Sequence, residues 1–210
     1  MCGRFYVDEG TAKEIERVIR DVDLRIQKMR TGDIYPSQPA GILTCYSRQI
    51  NPLLAGPVAE KSPAFELKEM HWGFPQYQKK GLLINARAET ALERRTFCDS
   101  VRYRRCIIPA KHFYEWDSDK NKVTFFRDDR PILFMAGFYN RFQNEERFMI
   151  LTTQANASVS PVHNRMPVVL DESELEDWVY DDKFTEYALH KIPPKLWRKQ
   201  EYEQQSLFLT

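Results

Sequence analysis

Six short apolar runs constrain this chain more than anything else in it: GILTCY, LLINAR, RCIIP, KVTFF, ILFMAGFYN and RFMILTT, all between residues 41 and 153. They are rich in β-branched and aromatic residues and are separated by polar turns, the pattern of strands rather than helices. The polar RDDRP between KVTFF and ILFMAG reads as the turn of a hairpin. Helical signals flank this block. Thr11 and Glu14 make a T-x-x-E capping box, and Ile15, Val18, Ile19, Val22, Ile26 and Met29 recur at helical spacing. The stretch from about Glu89 to Val101 is compatible with a second helix. DESELEDWVY, with carboxylates toward the positive end of the helix dipole, suits a third. Strands and helices without βαβ alternation predict an α+β fold, strand-dominated and mostly antiparallel, with a few peripheral helices. No repeat, low-complexity tract or linker divides the 210 residues, so one domain over 1–210 is expected.

Composition narrows the function classes. Thirty-one basic and thirty acidic residues leave a net charge of +1, so attraction to nucleic acid must come from a local patch. One candidate is the stretch from Arg87 to Lys111, with seven basic residues against three acidic and with Phe97, Tyr103, Phe113, Tyr114 and Trp116 in or just beyond it. Cations interleaved with flat rings fit unpaired DNA, although the same run also fits a solvated helix face flanked by core aromatics. The acidic run from Asp171 to Asp182 would repel DNA and is expected away from any binding face. Cys2, Cys45, Cys98 and Cys106 show no C-x-x-C or zinc-ligand spacing, and no apolar signal or membrane span is present. A cytoplasmic, reduced protein without metal or cofactor follows, with Cys45, Cys98 and Cys106 as small core residues.

Four short stretches carry the candidate chemistry: MCGRF, LINARAET, FYEW and HNRMP. A small residue after Met1 is what methionine aminopeptidases accept, and their action would leave Cys2 with a free α-amine and a thiol on adjacent carbons. A small second residue is also common by chance. Asn85 and Arg87 alternate along a strand end and share a face. Glu115 precedes Trp116, whose ring can shield it and lift its pKa toward that of a proton donor; a surface glutamate paired with lysine is the alternative. His163 stands between prolines that fix its loop, or is a loop histidine without a task. His71, His112 and His190 read as structural.

Together and in order, MCGRF, WGF, LINARAET, FYEW and HNRMP resemble the SRAP family, named for SOS response-associated peptidase. The resemblance implies a fused, barrel-like β fold and a mature N-terminal cysteine that crosslinks abasic sites in single-stranded DNA, as part of DNA repair. It implies Cys2 as nucleophile, with Asn85, Glu115 and His163 as catalytic partners. Arg4 and Arg87 would contact phosphates, Thr152 and Pro39 would join the DNA-binding set, and Trp116 or Trp72 would lie near the lesion. A monomer is expected, cytoplasmic or, in a bacterium, at the nucleoid. Two other functions fit the same residues: a cysteine peptidase with autoproteolytic activity using Cys2 and His163, or a non-catalytic single-stranded DNA-binding module. The chain departs from the family at PSQP, which keeps Pro39 but lacks the usual asparagine, and at His112, which replaces a glycine and would be strained if the backbone there needs positive φ.

Overall fold

Strands dominate the computed structural model, which describes residues 2–18, 22–23, 29–45 and 65–200. In chain order they are β1 (Arg4–Val7), β2 (Val22–Asp23), β3 (Gly32–Ile34), β4 (Pro39–Thr44), β5 (Phe65–Trp72), β6 (Phe74–Pro75), β7 (Leu82–Leu83), β8 (Asn85–Arg87), β9 (Arg105–Ala110), β10 (His112–Trp116), β11 (Lys122–Phe126), β12 (Leu133–Phe142), β13 (Glu145–Gln154), β14 (Arg165–Pro167), β15 (Val169–Leu170) and β16 (Trp197–Gln200). The helices are α1 (Glu9–Val18), α2 (Cys98–Tyr103), α3 (Leu175–Tyr180) and α4 (Asp182–His190).

An antiparallel five-stranded sheet runs β16-β11-β10-β1-β3. A nine-stranded sheet contains the path β13-β12-β9-β4-β5, and β5 returns to pair in parallel with β13, which closes these five strands into a barrel. The fold is thus α+β, strand-dominated and barrel-like.

Residue alternation explains how the two sheets fit together. In β1 and β11 the burial alternates, with Phe5, Val7, Val123 and Phe125 inward, as expected of strands covered on one face. In β9 all six residues are buried. Cys106 and Ile108 join the core shared with the five-stranded sheet, while Ile107 joins a second core covered by the helices. β12 and β13 divide the same way, Met135 and Ile150 to the first core, Phe134 and Leu151 to the second. A strand buried on both faces has no polar side to show, hence the unbroken apolar runs in the sequence. Packing of β12 is tight at Gly137, where a Cβ would sit 2.4 Å from the Met149 carbonyl oxygen and 2.5 Å from Ile108 Cδ1.

Several local expectations are corrected. Helix α1 starts at Glu9, one turn before the Thr11–Glu14 box. Asp8 caps it instead, Thr11 N donating to Asp8 Oδ1 at 3.0 Å while Asp8 N donates to Thr11 Oγ1 at 3.2 Å. The helical periodicity does not continue to Met29, because Val22–Asp23 is a strand paired in parallel with Phe65–Glu66; Ile19 and Ile26 lie outside the described residues. KVTFF and ILFMAG form no hairpin. β11 pairs with β10 and β16, β12 with β9, β13 and β15, and Arg127 in the crossing segment bonds both Asp129 and Asp171. The segment from Glu89 to Val101 is a 3-10 turn at Ala88–Thr90 followed by α2, not one helix. DESELEDWVY is helical: a 3-10 turn at Glu172–Glu174, boxed by Asp171 and Glu174, leads into α3. Cys45 and Cys106 are buried as expected, but Cys98 is half-exposed on α2.

Candidate active site

Cys2 leads into β1 and is fully buried. Its carbonyl oxygen accepts a 2.8 Å hydrogen bond from Asn85 Nδ2, and its Sγ lies 3.8 Å from the Arg4 carbonyl oxygen. Asn85 is held in place by main-chain pairing: β8 lies parallel to β13 with Asn85 opposite Ile150, and Trp72 Nε1 donates at 2.9 Å to the carbonyl of Ile84. The Asn85 side-chain oxygen is buried and has no hydrogen-bond partner among the described residues.

Glu115 comes from β10, whose pairing sets Tyr114 opposite Arg4 and so brings Glu115 to the beginning of β1. Only 3 % of it is exposed. Burial pushes its carboxyl above the ordinary range, opposed by the positive charges of the amino terminus and His163. Burial and then the Glu115 charge push the Cys2 thiol up, so it holds its proton at neutral pH.

His163 arrives on a loop braced by Asn156, whose Nδ2 donates to the carbonyls of Pro193 and Pro194 at 2.9 and 3.0 Å. Arg165 N donates to His163 Nδ1 at 2.9 Å. The Arg165 carbonyl oxygen lies 3.2 Å from the same nitrogen, so the Arg165 backbone holds the ring at Nδ1.

Outside this pocket Arg4 lies among three rings, its guanidinium carbon 4.5 Å from the centroid of Tyr114, 5.2 Å from Tyr35 and 5.4 Å from Trp116. It donates to Tyr35 Oη at 2.6 Å and faces Asp33 at 3.7 Å. A buried thiol at a strand start, a buried carboxyl, a histidine held by the Arg165 backbone and an adjacent cation thus converge from β1, β8, β10 and the loop before β14.

The family model described as SOS response associated peptidase (SRAP) matches residues 1–205. The chain belongs to the SRAP family. It is 28 % identical over 187 residues to the abasic site processing protein YedK of Escherichia coli, covering 85 % of this chain and 79 % of that one. To the abasic site processing protein YoqW of Bacillus subtilis it is 29 % identical over 198 residues, covering 85 % and 80 %. A crystal structure of a protein from Bordetella bronchiseptica superposes with a TM-score of 0.74 at 21 % identity, over 96 % of this chain and all of that one, and shows the shared fold.

In this SRAP protein the remaining sequence-derived candidates divide. Arg87 is exposed at the end of β8. Thr152 is buried on β13, and its hydroxyl donates at 3.3 Å to the Ala86 carbonyl, which ties β13 to β8. Pro39 starts β4, after a loop that Gln38 closes by accepting a 3.1 Å hydrogen bond from Tyr35 N. Trp72 is corrected: it is fully buried, tilted against Phe5 and stacked on Phe148, and it has no face to offer DNA. Of the two tryptophans, Trp116 is the accessible one, 39 % exposed. His112 sits in β10 without positive φ, so replacing glycine there strains nothing. The basic run is corrected in part, since Arg104 and Arg105 are occupied with protein carbonyls. Arg94, Arg95 and Arg102 remain exposed.

Sequence reasoning missed Arg165 and Glu89. They form a two-pronged pair at 2.7 and 2.8 Å, and Arg165 also bonds the Thr152 carbonyl, which locks the His163 loop against β13. Both lie inside the recognised motifs, as the E of NARAET and the R of HNRMP. Among the described residues no group of three His, Cys, Asp or Glu could hold a metal ion, and no helix is long and apolar enough to cross a membrane.

Proposed function

We propose that this protein captures abasic sites in single-stranded DNA through Cys2, after removal of Met1, as a thiazolidine that leaves the strand uncut. The observation that carries the reading is the convergence of Glu115, Asn85 and His163 on an enclosed Cys2. Its SRAP membership and relatives named as abasic site processing proteins support the substrate class.

An opened abasic sugar presents an aldehyde, which reacts with an uncharged amine. A terminal α-amine has a pKa of about 7.7–8.0 against about 10.4 for lysine, so at pH 7.4 roughly a quarter is neutral rather than about one part in a thousand. Attack of the Cys2 nitrogen on C1′ forms a carbinolamine. Loss of water gives the iminium. Left there, the iminium would acidify the neighbouring carbon and invite β-elimination. The Cys2 thiol closes the ring first: sulfur bonds C1′, the C=N electron pair returns to nitrogen, and the thiol proton leaves to a base. One water is lost overall and no oxidant is needed.

Glu115 serves as that base. Ionised, it takes a proton from the α-ammonium, gives it to the carbinolamine hydroxyl that leaves as water, and, ionised again, receives the thiol proton, a task suited to a carboxyl whose pKa burial has raised. His163 protonates the sugar oxygen as the ring opens. Asn85 holds the Cys2 carbonyl, and through it the orientation of the amine. Arg4 and Arg87 bind flanking phosphates, so Arg87→Ala weakens binding and flattens its salt dependence.

The test mixes purified protein with an oligonucleotide carrying one abasic site and resolves the product on a denaturing gel. A slower band that is lost in Cys2→Ala is expected. Peptide cleavage without any adduct, or binding without a covalent product, would contradict the proposal.

A further inference from the structure

Beyond the pocket, the outer face of the five-stranded sheet carries an unusual set of side chains. Strand register aligns them. Tyr6 lies opposite His112, and Phe126 opposite Trp197. Because Phe113 pairs with Phe125, His112 and Phe126 are the next neighbours in register, so an aromatic row crosses four strands. At a strand spacing of about 4.8 Å the row spans roughly 14 Å. A second row holds Arg4, Tyr114, Thr124 and Lys199, and Trp116 and Lys122 pair at the sheet's end.

Cations edge the rings. Tyr6 and His112 stack with centroids 4.8 Å apart and planes 2° from parallel. Trp197 is 52 % exposed, with Lys195 Nζ 5.5 Å from its centroid. Lys122 Nζ is 5.3 Å from the Tyr114 ring. Acidic groups at this face are already engaged: Asp33 pairs with Arg4, and Asp8 with Lys111. His112 and Phe126 continue into an open cleft of about 530 Å³, where Lys111, Arg127 and Arg130 stand with Asp128 and Asp129.

We propose that this outer face is a stacking platform for undamaged single-stranded DNA flanking the lesion, a role that rests on the DNA reading above. Charge complementarity and continuity select the occupant. Aromatic faces bordered by lysines bind unpaired bases and their phosphates without regard to sequence, and the platform begins at Trp116 and Arg4, beside Cys2. A strand whose damaged sugar lies in the pocket therefore passes over the rim at Trp116 and along the sheet toward Trp197. His112 makes this face aromatic where the family pattern has glycine, and its burial lowers the ring's pKa, which favours a neutral stacking surface.

Fluorescence anisotropy with undamaged oligothymidylates of six and twenty nucleotides tests the platform without any covalent step. Trp197→Ala is expected to weaken binding of the twenty-mer roughly fivefold or more, with a smaller effect on the six-mer. Lys199→Ala is expected to flatten the log–log salt slope by about 0.7. Both positions are exposed, so neither change opens the core. Tyr187→Ala, an equally accessible aromatic on α4, serves as the control and should bind as wild type. Wild-type affinity in Trp197→Ala together with an unchanged slope in Lys199→Ala overturns the platform. Failure of Cys2 to crosslink abasic DNA would instead sink the capture reading and leave these binding results standing.

Discussion

Arg105 and Glu115 lie ten positions apart, are both 3 % exposed, and are treated oppositely by the fold. Arg105, at the start of β9, donates to the carbonyls of Val101, Arg102, Trp178 and Val179 and pairs with Asp182 at 2.9 Å. A guanidinium so surrounded costs little to bury, and it staples α2, α3 and α4 to the barrel. Glu115, on the neighbouring β10, stands where burial dominates and drives its pKa up. The same chemical liability, a buried charge, is offset by hydrogen bonds at Arg105 and met by a raised pKa at Glu115. Under the proposed function, that contrast divides a part of the molecule that serves stability from a part that serves proton transfer.

The largest expected effect tests the reactive side. Cys2→Ala should abolish the covalent product on a denaturing gel while the protein still melts cooperatively. Glu115→Gln comes next, with a capture rate constant lower by about 10²–10⁴ in single-turnover gels. Its stability should move the other way. A carboxyl with its folded pKa raised favours the folded state below the unfolded pKa, and that contribution is lost as pH rises through the folded value. Denaturant melts of wild type should therefore weaken over that window, and Glu115→Gln should lack the decline. If Glu115→Gln is both fast and equally pH-sensitive, the contrast with Arg105 is broken.

The stability side is probed by Arg105→Met, which strands four carbonyl acceptors. A loss of roughly 3 kcal/mol in urea melts is expected, with the capture rate of the folded fraction preserved. A smaller effect is expected at the Glu89–Arg165 pair. Burial raises the Glu89 pKa, but hydrogen bonds from Arg165, its own backbone and Thr153, together with the Arg165 charge, more than offset it, so the net shift is downward. The stabilisation is present above the unfolded carboxylate pKa and fades as pH falls through the folded value; Arg165→Ala should flatten that acid limb and slow capture by freeing the His163 loop. The smallest change is His112→Gly. With no positive φ to relieve, glycine in β10 should cost about 0.5–1 kcal/mol rather than stabilise.

Cys2, Asn85, Glu115 and His163 are legible as candidates because each sits in a short motif of the SRAP resemblance; the structure brings them together, and their roles belong to the proposal. Strand content was readable from the β-branched runs. Strand partners were not: RDDRP announces a turn, but the pairing of β11 with β16 rather than β12 is decided by contacts over seventy residues away in the chain. The apolar periodicity announces helix α1, but T-x-x-E points to a cap one turn late, because Thr11 can close a box from either side and only Asp8 decides which. The burial of Trp72 is not legible in the sequence, because a tryptophan beside a motif can be exposed or buried, and its place between Phe5 and Phe148 depends on sheet closure. Arg105 looked like part of a cationic run for the same reason.

The central claim, that nitrogen and sulfur of Cys2 jointly close on one sugar carbon, is most directly tested by intact and peptide mass spectrometry of the adduct formed without reductant. The account predicts an adduct chain lacking Met1, a mass equal to protein plus oligonucleotide less one water, and a Cys2 thiol that iodoacetamide no longer alkylates. An adduct that retains Met1, or whose Cys2 thiol still alkylates, would contradict it.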